Sequence, residues 1–425
     1  MQNLHSEIKC SLAIAVVVVA FGGLVSAQTP LRLTLDEAID LALAHNHVLK
    51  ATRTQIQQSQ AQEVTASLRP NPALNGDAFY IPIFSPSAFS SENLSNAQEF
   101  DLGVSYLFER GKKRQRRVQA AKDATAVTRD QVTDAERMLI FNVAQQFIQA
   151  QLAESTLEFA NQDLAGFQQT VKIGEEQYRV GDISESDLLK IKVQLLQFQT
   201  DVDAAQVAKV QALASLRQLL GYDAVPANYE IDGEFSFQPL KLNVDDLQMK
   251  ALKSRPDLLA AVEGVRAAQS QFLLAKANGK MDLTAALTYT HVTNENQMGA
   301  SFSIPLPIFD RNQGEIARTR FAQTQAQETA LAASDTVMTD VRNNYEAFQT
   351  NQSIVQLYLS GYLQQAKDSR DISEYAYKRG AASLLDFLDA ERSYRSTQLS
   401  YRQALANYLT SVEQLKEAVG TRTLP

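Results

Sequence analysis

The chain makes the same glycine-centred turn twice. "EEQYRVGDISESDLL" begins at Glu175 and "SEYAYKRGAASLLDFL" at Ser373. Tyr178, Gly181, Ser184, Asp187 and Leu189 return as Tyr377, Gly380, Ser383, Asp386 and Leu388, each 199 positions on. Glycine admits the left-handed backbone that reverses a helix tightly. Ser184 and Ser383 suit the caps of the returning helices, with acids in the first turn favoured by the helix dipole. Leu216, Arg217 and Gly221 recur as Leu415, Lys416 and Gly420 at the same shift. "LTLDEAIDLALAHNHVLKA" from Leu33 resembles "LNVDDLQMKALKSRPDLLA" from Leu242, and "FERGKKRQRR" at Phe108 matches "FDRNQGEIAR" at Phe309. The length difference falls mainly at "SPSAFSSENLSNA" (Ser85–Ala97), set against "TNENQ" (Thr293–Gln297). So long a period lies beyond solenoid repeats and reads as a duplicated unit within one protomer.

Each half predicts helix, two strands, long helix, turn, helix. Strands follow from alternation. Phe100, Leu102, Val104, Tyr106 and Phe108 oppose Asp101, Gly103 and Ser105. Leu283, Ala285, Leu287 and Tyr289 oppose a polar or small set, as do Met298, Ala300, Phe302, Ile304 and Leu306. "ALNGDAFYIPIF" completes four. Strands of about ten residues with one apolar face fit a membrane β-barrel and equally a half-buried soluble sheet. Helix periodicity weighs against the soluble sheet. Leu157, Ala160, Leu164, Phe167, Val171, Gly174 and Tyr178 form a three-four seam. Leu384, Phe387, Tyr394, Tyr401, Leu405, Tyr408, Val412, Leu415 and Val419 form another, interrupted by Glu391 and Gln398. A helix from about Lys112 to Gly174 would be roughly 95 Å long, far more than one globular core needs.

Four strands cannot close a barrel, since small membrane barrels use about eight, and open edges in lipid leave backbone groups unpaired. Several copies must therefore pool their strands. Pro70 and Pro72 precede the first strand, and Pro305 and Pro307 follow the last. The N-terminus reads as a secretory signal: Lys9, the run "LAIAVVVVAFGGLV", then "VSA" before Gln28. Cys10, the only cysteine, precedes that run, so the mature chain is expected to lack disulfides and lipidation. The expected organisation is signal peptide 1–27, first repeat 28–221, connecting segment 222–243, second repeat 244–420 and tail 421–425.

A signal peptide, duplicated helix–hairpin–long helix–turn–helix halves and paired YxxGxxSxxDxL turns together resemble the outer membrane efflux protein family, the TolC-like outer membrane factors. "FERGKKRQRR" and "PLPIFDRNQGEIAR" are most similar to its metal-efflux CzcC/CusC branch. The resemblance covers about Leu31 to Gly420. It implies a fold mainly α with a membrane β-barrel: a homotrimer pooling four strands per protomer into twelve, continuous with a coiled-coil α-barrel tunnel. The connecting segment would lie at the tunnel's equator. It implies passive conduction in the Gram-negative outer membrane, with a periplasmic adaptor and an inner membrane RND-type pump as partners. Heavy-metal cations are the expected cargo; drug or solvent efflux and type I protein secretion are the alternatives.

The resemblance also assigns residues. Tyr178, Arg179, Val180, Gly181, Ser184, Lys378, Arg379, Gly380 and Ser383 would form adaptor-contacting hairpin tips. Tyr377, Asp187, Asp386 and Asp389 would form the periplasmic gate, with stacked acidic rings favouring cations. Asp187 and Asp386 also read simply as first-turn helix acids. Ala382 departs from the family type, which has an arginine there bonded to the neighbouring hairpin. Arg110, Lys112, Lys113 and Arg114, just after a predicted membrane strand, are expected at the membrane border, reaching lipid phosphates or the tunnel wall.

Forty Lys and Arg stand against 48 Asp and Glu, which argues against nucleic acid as a partner. His45, His47 and His291 are scattered, with His45 and His47 expected on one helix. No thiol, HExxH, GxSxG, P-loop or Rossmann pattern accompanies them. An enzyme, a bound cofactor and a resident metal are not expected. A secreted coiled-coil scaffold with a small soluble sheet is the competing class.

Overall fold

The computed structural model describes residues 31–79, 84, 99–292 and 295–424; the signal segment and the Ser85–Ala97 loop lie outside them. The first half runs β1 (Arg32–Leu33), α1 (Leu35–His45), α2 (His47–Ser67), β2 (Ala73–Phe79), β3 (Glu99–Phe108), α3 (Lys113–Val180) and α4 (Glu185–Leu220). After β4 (Glu230–Ile231) the second half repeats the plan. It comprises α5 (Val244–Ser254), α6 (Pro256–Asn278), β5 (Leu283–Val292), β6 (Glu295–Ser303), α7 (Gln313–Leu357), α8 (Leu363–Lys378) and α9 (Leu384–Val419).

The expected single front helix is two in each half. Asn46 explains the first break: its side chain accepts the Leu49 N–H and donates to the Leu219 carbonyl, so it caps α2 while anchoring it to α4. His45 and His47 therefore lie on separate helices. Pro256, at the first position of α6, sets the equivalent break. The 68 residues of α3 make a rod of roughly 100 Å. Its counterpart is interrupted by a π-turn, Tyr358–Tyr362, where Gly361 adopts φ 131°.

One antiparallel sheet takes the order β2-β3-β5-β6, so β2 and β6 are open edges. Its register pairs Gly103 with Thr288 and Thr288 with Gly299. Burial in it is inverted. Leu74, Phe100, Leu102, Val104, Leu287, Met298 and Phe302 are exposed, whereas Gly103 is buried. A soluble half-buried sheet would hide that apolar face. Among the described residues no helix is long and apolar enough to cross a membrane.

Three apolar cores lie along the rods. The first joins Ile39, Val143, Phe147, Leu216 and Leu220, and the second joins Leu247, Val337, Val341, Leu405, Tyr408 and Leu415. Segment 222–243 stitches them together. It lays Val225 and Tyr229 on the first core and Phe237 on the second, and pairs β4 with β1 in parallel. A third core, nearest the turns, gathers Phe167, Val171, Ile191, Phe198, Tyr377, Leu384 and Phe387.

Candidate functional site

Both turns form as helical hairpin tips. Gly181 (φ 85°) ends α3, with the Asp182 N–H returning to the Gln177 carbonyl at 2.8 Å. Ser184 caps α4 by accepting the Asp187 N–H at 3.1 Å, and its hydroxyl donates to the Asp187 carboxylate at 2.9 Å. Lys190 donates to the same carboxylate at 3.1 Å. The Ser184 bond and then Lys190 hold Asp187 below the usual carboxylate range. At the second tip Gly380 (φ 71°) turns the chain, and Ser383 and Asp386 form a reciprocal capping box. The Ser383 hydroxyl donates to Asp386 at 2.7 Å and the Ser383 N–H donates at 3.1 Å, which lowers the Asp386 pKa. Asp389 is exposed and only loosely paired with Arg392 at 3.8 Å.

The two tyrosines of the repeat differ. Tyr178 is 43% exposed; Tyr377 is 6% exposed. Tyr377 stacks on Phe387 (centroids 5.5 Å, planes 9° apart), Phe387 on Phe167 (6.5 Å, 7°) and Phe167 on Phe198 (4.4 Å, 13°). One ring comes from each of α8, α9, α3 and α4, so the stack pins the two hairpins together. Sequence reading put Phe167 and Phe387 on separate seams and gave no sign that they meet. Burial, and then the charge of Asp187, raise the Tyr377 pKa, and its buried hydroxyl makes no hydrogen bond. The Tyr377 side chain therefore packs near Asp187 without bonding to it within the protomer.

Between the tips lies a cleft of about 940 Å³ lined by Asp182, Ser184, Asp187, Tyr377, Arg379 and Ala382, among others. Arg179 pairs with Glu176 and Lys378 with Glu374, while Arg379 lies over Tyr375. Val180 is exposed at the end of α3. At the other end of α3 the basic run divides. Lys113 pairs with Asp282 at 2.6 Å, and Arg114 donates to the Ser67 carbonyl at 2.6 Å, closing the end of α2. Arg110 and Lys112 have exposed side chains. Internal pairing thus takes two of the four basic residues expected at the membrane border. Among the described residues no three His, Cys, Asp or Glu stand together as metal ligands would.

Against known proteins, the family model described as outer membrane efflux protein matches residues 38–222 and 247–421. The chain belongs to that family. As an outer membrane efflux protein it resembles the "Cation efflux system protein CusC" of Escherichia coli (strain K12). The two are 24% identical over 393 residues, covering 89% of this chain and 84% of the relative. It is 22% identical over 390 residues to the "Cobalt-zinc-cadmium resistance protein CzcC" of Cupriavidus metallidurans, covering 91% and 90%. A crystal structure of CusC superposes with a TM-score of 0.75 at 21% identity, over 94% of this chain and 95% of that one. The fold is that of TolC-like outer membrane channels, and the secreted-scaffold class falls away.

Proposed function

We propose that three copies of this chain form an outer membrane channel that passively conducts metal cations delivered by a periplasmic adaptor and an RND-type inner membrane pump. The open edges of the four-stranded sheet carry the reading: with its apolar face outward, the sheet is unsatisfied in lipid until β6 of one copy meets β2 of the next. Three copies supply twelve strands, enough to close.

The helices support the same ring. Leu189, Val193 and Leu196, then Val207 and Val210 beyond Thr200 and Asp203, are exposed on one side of α4, and Ile354, Leu357, Ile372 and Tyr375 are exposed along α7 and α8 on either side of the π-turn. Set antiparallel, Leu189 meets Tyr375, Val193 meets Ile372, Val207 meets Leu357 and Val210 meets Ile354. A head-to-tail contact between unlike faces closes a ring. Detergent-extracted protein is expected to be a trimer, and Val193→Cys/Ile372→Cys protein to cross-link between protomers on oxidation. A monodisperse monomer with intact strand and helix dichroism would sink the assembly.

The tips, with Tyr178, Arg179, Val180, Lys378 and Arg379 outward or at the cleft, serve as the adaptor-contacting end, and Asp187, Tyr377, Asp386 and Asp389 as the gate. Arg110 and Lys112 face lipid phosphates, and the mature chain carries no lipid. The relatives named for cation efflux and for cobalt, zinc and cadmium resistance support metal cargo. Loss of the gene should lower tolerance to such metals and leave drug tolerance intact. The reverse pattern would reassign the cargo to drugs.

A further inference from the structure

Two carboxyl groups meet inside the hairpin–hairpin seam. Asp163 on α3 and Glu391 on α9 are 8% and 5% exposed and line the same cleft. A hydrogen bond between the two requires a proton, because two carboxylates have only acceptors. Among the described residues the nearby cations are shared with other groups, and Arg402 on α9 lies over the Phe159 ring at 4.4 Å. Arg395 on α9 holds Asp163 at 2.6 Å and also Asp201 on α4. Arg370 on α8 pairs with Asp371 at 2.8 Å and lies over the Tyr394 ring at 4.6 Å. Glu374 on α8 is held by Lys378 at 2.6 Å. Arg370 and Arg395 favour the ionised form of Glu391, but burial and the charge of Asp163 outweigh them.

We propose that Asp163 and Glu391 form a proton-operated latch: sharing one proton they tie α9 to α3, and losing it they repel, parting the hairpins and opening the tip end of the channel. The position suits this. Phe387 lies one turn before Glu391 on α9 and Phe167 one turn after Asp163 on α3, so the latch adjoins the ring stack that joins the hairpins. A cleft of about 410 Å³, lined by both carboxyls, Arg370 and Glu374, gives the proton a way in and out. Burial, then the charge of Asp163, push the Glu391 carboxyl up to about 7. A raised carboxyl binds its proton more tightly in the latched form. Latching is therefore complete in acid and lost as pH rises through about 7.

The latch rests on the channel reading, and the test keeps the two apart. In purified protein, the infrared band of a protonated carboxyl should vanish near pH 7 and be missing from Glu391→Gln. In planar bilayers, the unlatched fraction should rise about tenfold from pH 6 to pH 8, as a group titrating near 7 goes from about a tenth to about nine tenths deprotonated. Glu391→Gln, which keeps a donor at every pH, should conduct at the low, pH-independent level. Asp163→Asn removes the neighbouring charge and should move the midpoint to lower pH. A missing infrared transition, a pH rise persisting in Glu391→Gln, or an unmoved midpoint in Asp163→Asn would overturn the latch. The infrared transition without any conductance would overturn the channel reading and leave the proton site standing.

Discussion

The two halves share a plan but differ near their tips. Leu216 and Leu415 hold equivalent, fully buried places in the two cores that segment 222–243 bridges. Lower down the correspondence fails: Tyr178 is out and Tyr377 is in, Gln162 lies within a continuous α3, and Gly361, its counterpart, distorts the helix into a π-turn. Glu391 and Arg395 correspond to Lys192 and Leu196, both exposed, so the buried ionic cluster exists once. Duplication kept the scaffold where packing is symmetric. Near the tips one hairpin became a straight rod and the other a distorted, ring-anchored arm.

The largest effects should fall where the halves agree. Leu216→Asp and Leu415→Asp each place an unpaired charge in a dry core and should cost several kcal/mol, enough to prevent folding. Gln403→Asp, on an exposed face, should be nearly neutral in urea titrations. Unequal losses at the two leucines would show that the symmetry of the two cores is only apparent. Next come the tyrosines. Tyr377→Ala empties a ring-stack site and should cost about 3 kcal/mol, against less than about 1 kcal/mol for Tyr178→Ala. Tyr377→Phe removes a buried hydroxyl without a partner and should be neutral or stabilising. A large loss in Tyr377→Phe would reveal a bond made across protomers.

Much of this was legible in the residues. The duplication, the glycine turns, the serine caps and the strand alternation are local signals, and local chemistry fixes them. The Leu384-to-Val419 seam was legible too, although Glu391 read there as an interruption. The carboxyl that shares its cleft lies 228 residues earlier in sequence, and no periodicity reports such a neighbour. The ring stack was hidden for the same reason. Two misses had signals available: Asn46 is a strong capping residue inside an apolar pattern, and Gly361 is a lone glycine in a helix. The pairing of Lys113 with Asp282 needed the sheet to bring them together.

Gly361 offers a smaller, sharper comparison. At φ 131° a side chain is strained whatever the space, and the nearest neighbour of an added Cβ, Gln365, is 3.7 Å away. Gly361→Ala should therefore cost about 1–2 kcal/mol through backbone strain alone. In the rod, Gln162→Gly should cost up to about 1 kcal/mol through helix propensity. Losses at both sites, one on losing a glycine and the other on gaining one, would confirm that the halves diverged in backbone. Thermal melts of the two variants decide it. If Gly361→Ala is stabilising, the π-turn relaxes to ordinary helix and the asymmetry is lost.

Stability should change least at Asp386 and Asp389, where selectivity is the informative readout. Ser383 lowers the Asp386 pKa, so the capping contribution is present above the ordinary carboxylate range and lost only as pH falls through that lowered value. At neutral pH Asp386 is ionised, and three copies around a mouth would favour cations. Capping alone would make the stability difference between wild type and Asp386→Asn vanish in acid and leave ion preference untouched. Ring charge would instead lower cation preference and weaken block by trivalent cations, because Coulomb energies in a confined mouth exceed those in bulk water. The two acids separate further by geometry. Asp386 is tied to its cap, whereas Asp389 is exposed and weakly paired. Reversal potentials under a salt gradient should therefore shift more for Asp389→Asn than for Asp386→Asn, and most for the double variant. An unchanged reversal potential in the double variant would remove both from the gate and leave Asp386 as the helix cap its hydrogen bonds describe.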